Sequence, residues 1–225
     1  MPETITYKTL DNVFIKADWA PSPTTLGIVL LLHMMPTDRK SWAPFQQSLA
    51  RHNLASLAID LRGHGESVKT SEGAALDFKK FTDEEHQKYL YDVMGAIEWL
   101  KDKKYNTDQI MVAGASIGAN IALWALQEEP ALAGAVMLSP GNYRGIDAVE
   151  KADYIKAHHA IWAAGSDSDD PEAFETAQNI VEAAGADRKQ FVPYKNAGHG
   201  IHLFTADPEL MDNLATWIEE SYGRA

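Results

Sequence analysis

The amino-acid sequence predicts a mostly parallel, doubly wound α/β sheet of about eight strands with helices on both faces. Three observations carry this. Short apolar runs without polar alternation recur, as in LGIVLLLH (26–33) and QIMVAGA (109–115), the pattern of strands buried on both faces. Between them lie segments whose apolar residues repeat at helical spacing. The two kinds of segment alternate, as a parallel sheet with helical crossovers requires. A chain of 225 residues, 45% hydrophobic and 23% charged, suffices for one domain over 1–225 with a single large core.

The elements follow in order. TITYKTL and VFIKADWA read as two early strands around the turn-prone pair Asp11-Asn12. LGIVLLLH is a central strand, SWAPFQQSLARH a helix, and LASLAID (54–60) the next strand. One long helix is expected from about Asp83 to Lys104, because Leu90, Val93, Met94, Ile97 and Leu100 share a face. QIMVAGA is a buried strand and IGANIALWALQEE a helix; AGAVMLS (133–139), HAIWAAG (159–165) and KQFVPYK (189–195) are further strands. Helices from Pro171 to about Ala186 and from Pro208 to about Tyr222 begin with a proline in the first turn. Trp42, Trp99, Trp124, Trp162 and Trp217 fall at positions suited to core packing.

Charge and composition exclude several classes. A net charge of −12 argues against nucleic acid and anionic membrane surfaces as partners, since both need a basic face. The absence of cysteine removes disulfides, thiolate metal sites and a cysteine nucleophile. The N-terminus, MPETITYKTLDNVF, has no basic segment followed by an apolar stretch, and the apolar run LGIVLLLHMM is too short to cross a bilayer as a helix. A cytoplasmic protein is expected. His158-His159 and His199-x-x-His202 lack a convincing third ligand, so no metal and no organic cofactor is expected.

In such sheets ligands bind beyond the carboxyl ends of the strands, and the polar chemistry of this chain lies there. Gly114-Ala115-Ser116-Ile117-Gly118 joins a strand to a helix, the context in which G-x-S-x-G presents a nucleophile on a sharp turn. The residues two before and two after must be small for strand and helix to pass closely. The bland alternative is an N-cap serine after a glycine-rich turn. A serine hydroxyl needs a base. His199, in YKNAGHGIHLF after a strand, is favoured over His202. The carboxylate that orients the base is sought in AIWAAGSDSDDPEAF: Asp169 first, with Asp167 and Asp170 as alternatives, Asp170 being well placed to cap the helix at Pro171. Oxyanion donors are expected from the backbone of Ile117 and, in LLLHMMPTDRKSW, of Met35, with Met34 as the alternative. His33 reads as structural. Met34 and Phe204 adjoin these residues in sequence and are candidates for lining an acyl or alcohol pocket.

LLLHMMPTDRKSW, LAIDLRGHGES (57–67) and VAGASIGANIALWAL together resemble the α/β-hydrolase superfamily over essentially the whole chain, and more narrowly its small serine carboxylesterase-like members. The resemblance implies an ester hydrolase working through Ser116, an aspartate and His199. In LAIDLRGHGES it implies a structural role for Asp60, Arg62, His64 and Ser67. Relatives carry His-Gly in the first motif, where this chain has Met34, and a G-x-x-D pattern before the acid, where it has Ser168. Only about twenty residues, PGNYRGIDAVEKADYIKAHH, stand where many relatives carry a cap domain. This is short for a crossover with a helix of its own, so no cap and an open pocket are expected. A small ester, a thioester, an amide or peroxide as acyl acceptor would use the same triad, and a non-catalytic ligand-binding homologue is the alternative of another class. A dienelactone-hydrolase-like role, typically served by cysteine, is disfavoured. Monomer and homodimer are equally compatible with the sequence.

Overall fold

The computed structural model describes residues 2–23 and 26–223. Among these residues eleven strands are formed: β1 Glu3–Lys8, β2 Val13–Ala20, β3 Ile28–Leu32, β4 Ala55–Ile59, β5 Lys69–Thr70, β6 Ile110–Ala115, β7 Gly134–Leu138, β8 Asn142–Tyr143, β9 Ile146–Asp147, β10 Ala160–Ser166 and β11 Arg188–Tyr194. The helices are α1 Ala43–Arg51, α2 Asp83–Gln87, α3 Tyr89–Asp102, α4 Ile117–Glu128, α5 Ala148–Ala152, α6 Pro171–Ala183, α7 Leu203–Ala206 and α8 Leu210–Tyr222.

Eight strands run across the main sheet in the order β1-β2-β4-β3-β6-β7-β10-β11, with β5 pairing on β2. The β1–β2 and β2–β4 ladders are antiparallel, and every ladder from β4 to β11 is parallel. The unbroken apolar character of the central strands has its cause in burial on both faces. Ile28, Leu30 and Leu32 of β3 pack with Tyr89, Val93 and Ile97 of α3 and with Ile121 and Leu126 of α4. The intervening Val29 and Leu31 pack on the other face, with Phe45 and Leu49 of α1 and Leu214 and Ile218 of α8. Burying each such side chain contributes about 1.5–3 kcal/mol.

Two expectations change. The helix expected from Asp83 to Lys104 is two helices, divided at Lys88. Tight turns meet there, with Lys88 N–H donating to Glu85 O and Tyr91 N–H to Lys88 O. Across this division His86 of α2 meets the Tyr89 hydroxyl at 2.9 Å, a short-range polar contact that periodicity does not report. The segment between β7 and β10 also has its own structure: β8 and β9 form a hairpin and α5 follows. A two-residue turn needs so little chain that hairpin and helix both fit.

Strand order places β3 between β4 and β6. Successive crossovers diverge there, and the crevice beyond the carboxyl ends of β3 and β6 lies at that point.

Candidate active site

Ser116 ends β6 and opens α4 with φ 55° and ψ −123°. A non-glycine residue in this region carries about 1–3 kcal/mol of strain. The turn is held by Ser116 N–H donating to Leu138 O at 2.8 Å and by Ala119 N–H donating to Ser116 O at 2.9 Å. Its sterics require the flanking glycines: a Cβ on Gly114 would lie 2.1 Å from the Gly118 carbonyl carbon, and one on Gly118 would lie 2.4 Å from Leu32 O. Ser116 makes no side-chain cap to α4, so the bland N-cap reading does not describe it.

The loop carrying His199 is held residue by residue. Ala197 N–H donates to Ser166 Oγ at 2.9 Å, Gly198 N–H to Asp169 Oδ2 at 2.7 Å, and Gly200 N–H to Ser139 Oγ at 2.9 Å. His199 itself sets Nδ1 2.7 Å from Asp170 Oδ2. A carboxylate oxygen accepts there, so in the neutral imidazole Nδ1 carries the proton and Nε2 the lone pair. A Cβ built on Gly200 would lie 3.4 Å from Ala115 Cβ and 2.7 Å from Met34 Sδ, so the residue after His199 packs against the residue before Ser116. The ring of Tyr143 stands edge-on to the imidazole, 5.9 Å between centroids at 89°.

The three aspartates separate cleanly. Asp169, favoured from the sequence, accepts from Ser166 Oγ and from Gly198 N–H. The Ser166 hydroxyl, foremost, draws its carboxyl below the usual range. Asp167 is exposed and accepts from its neighbour Ser168. Asp170 is the one on His199. It is the N-cap of α6 by position, as the sequence suggested, yet its side chain makes no cap bond. His202 lies exposed at the end of the short turn Gly200–His202.

A cavity of about 420 Å³ opens beside Ser116, bordered by Met35, Ile117, Asp83, Asn142, Tyr143 and Arg144. Met35 and Ile117 therefore share its wall with the serine. Phe204 is elsewhere: it stacks on Phe45 at 5.3 Å and meets Trp42 at 6.0 Å in the core under α1. Met34 is 6% exposed and belongs to the same core, against Gly200. The hairpin residues Asn142, Tyr143 and Arg144 escaped the sequence reading. The signal for them was Arg144-Gly145, a turn pair close after a strand end.

Beneath the Met35 loop the histidines form a buried polar cluster. His33 Nε2 accepts from Leu61 N–H at 3.1 Å and His33 Nδ1 meets Met34 O at 3.0 Å. His64 bridges Thr37 O at 3.1 Å and the Tyr89 hydroxyl at 3.0 Å. Burial, reinforced by His33, pushes the His64 pKa down to about 3. Asp60 accepts from the Arg39 and Glu66 backbone N–H groups, and Arg62 pairs with Asp92 and Asp11. These contacts tie the loop to the end of β4, to the turn before β2 and to α3.

The family model described as serine aminopeptidase, S33 matches residues 23–145, just over half of the chain. No curated protein matches the chain. Among solved structures, the Pyrococcus furiosus esterase Pf2001 superposes with a TM-score of 0.80 at 19% identity, covering 99% of this chain and 93% of its own. The esterase domain of a Rhodothermus marinus protein gives 0.73 at 16% identity, with 98% and 99% covered. Dienelactone hydrolase from Anabaena variabilis gives 0.69 at 18%, with 99% and 97% covered. At these identities the likeness is one of fold, the α/β-hydrolase fold. Among the described residues no helix is long and apolar enough to cross a membrane.

Proposed function

The chain belongs to the serine aminopeptidase S33 family of α/β hydrolases, and from that premise we propose that it is a serine hydrolase cleaving carboxylic esters with short to medium acyl chains. The observation that carries the reading is the strained Ser116 at the mouth of a cavity, with His199 oriented by Asp170 on the adjoining loop. Ser116 Oγ attacks the ester carbonyl while His199 Nε2 takes its proton. The N–H groups of Ile117 and Met35 stabilise the oxyanion. His199 then gives the proton to the departing alcohol, leaving an acyl-enzyme. Water, deprotonated by His199, attacks that acyl carbon and releases the acid and Ser116. Asp170 keeps the imidazole in the required tautomer and stabilises the imidazolium.

The test is hydrolysis of 4-nitrophenyl acetate, butyrate and octanoate by the wild type and by a folded Ser116→Ala variant. A drop of several orders of magnitude in the variant is expected. Equal rates in both proteins would overturn the assignment of Ser116. The family description also keeps amide bonds in view, and amino-acid 4-nitroanilides measured alongside the esters separate that second reading.

A further inference from the structure

We propose that Arg144 makes this a site for esters that carry a second, free carboxylate, its guanidinium holding that charge beside the carbonyl under attack at Ser116. The inference rests on the hydrolase reading above. Arg144 is the cation among the described residues bordering the Ser116 cavity. Its backbone is placed by two devices. Arg144 and Gly145, at φ 55° and 72°, form the two-residue turn of the β8–β9 hairpin, the left-handed geometry that such hairpins use. Asparagine or glycine would enter this geometry more easily than arginine, so the local fold does not account for the side chain.

The hairpin is in turn fastened to the helix of the nucleophile. Asn120, four residues after Ser116 and fully buried, donates from Nδ2 to Gly141 O and to Ile146 O, each at 2.7 Å, and accepts from Gly141 N–H at 3.1 Å. Gln87 Nε2 adds a contact to Arg144 O at 3.3 Å. Arg144 is thus held in register with Ser116 through α4. Among the described residues its guanidinium has one loose ion-pair partner, Asp83, at 3.7 Å with both side chains about half exposed. An exposed pair at this distance is weak and readily exchanged. A substrate carboxylate matches the planar guanidinium by two parallel hydrogen bonds, which Asp83 does not make here.

The experiment compares kcat/KM for the hemiglutarate and pentanoate esters of 4-nitrophenol, which are similar in length and differ in charge. Wild type is expected to prefer the hemiglutarate. Arg144→Gln should lower the hemiglutarate-to-pentanoate ratio at least tenfold, and Arg144→Lys should restore part of it. Asp83→Asn, which removes the competing carboxylate, should raise the ratio. If Arg144 merely ties the hairpin to α2, Arg144→Gln and Asp83→Asn will depress both esters alike and leave the ratio unchanged, and the proposal is then wrong. Labelling of Ser116 by a neutral fluorophosphonate tests the underlying reading separately. Absent labelling sinks the hydrolase reading and this proposal with it, whereas labelling with an unmoved ratio sinks only the role of Arg144.

Discussion

Asp170 and Asp169 are neighbours in the chain, yet their carboxylates serve different atoms of the His199 loop. Asp170 meets the imidazole Nδ1 at 2.7 Å, and Asp169 accepts from the Gly198 backbone N–H at the same distance. In the proposed mechanism the first contact orients the base, while the second shapes the loop that carries it. Asp170→Asn should therefore lower kcat on a short 4-nitrophenyl ester by about 10³–10⁴-fold, the loss expected when a triad acid becomes an amide. Asp169→Asn should cost far less, about tenfold or below, with part of the effect in thermal stability. The reverse ranking would show that the loop rearranges when substrate binds. His202→Gln should leave the rate within about twofold, because that residue is exposed and the Asp170 contact belongs to His199.

At Gly118 a methyl group would stand 2.4 Å from Leu32 O. The obstacle is backbone, so neither side can yield without parting β3 from α4. Gly118→Ala should lower unfolding stability by about 2 kcal/mol or more, read as a shift of the urea midpoint, and should remove esterase activity. Retention of both would mean that the elbow is less tightly closed than this geometry implies.

His64 gives the stability a pH dependence of known sign. The folded state holds it to about 3 against an ordinary 6.5, chiefly through burial. Below 6.5 the unfolded chain takes up a proton that the folded ring refuses. Stability is thus fully present above about 6.5 and falls with pH by up to about 1.4 kcal/mol per unit as the pH drops toward 3. His64→Gln should flatten this part of the profile between pH 6.5 and 5, measured as the difference between the two proteins in urea unfolding. Parallel profiles would assign the acid sensitivity to other groups.

Asn120 is the buried link between α4 and the hairpin that borders the cavity. Asn120→Leu takes these partners from Gly141 N–H and from the carbonyls of Gly141 and Ile146; the Gly141 carbonyl keeps Ala148 N–H at 3.0 Å, and each group left unsatisfied costs about 1–3 kcal/mol. Faster amide exchange across residues 141–147 is expected, together with a higher KM. Unchanged exchange there would show the hairpin to be held by its own turn and by Tyr143.

Much of this molecule was determined by its sequence. The strand–helix alternation, the Gly114-to-Gly118 elbow and the loop with His199 could be read directly, because each follows from local constraints: burial on two faces, the space a tight turn leaves, the residues a turn tolerates. Which aspartate meets the histidine was decided only by tertiary structure. Three acidic side chains lie within four positions, yet Asp167 meets only its neighbour Ser168, Asp169 meets Ser166 and Gly198, and Asp170 meets His199, the last two partners belonging to a loop 29 residues further along the chain. The same holds for Phe204, near the site in sequence but packed on Trp42 and Phe45, and for Arg144, brought beside Ser116 by a hairpin whose anchor, Asn120, lies 24 residues earlier. Spacing along a chain fixes periodicity and local strain. The meeting of side chains from distant loops is set by how the sheet's crossovers converge.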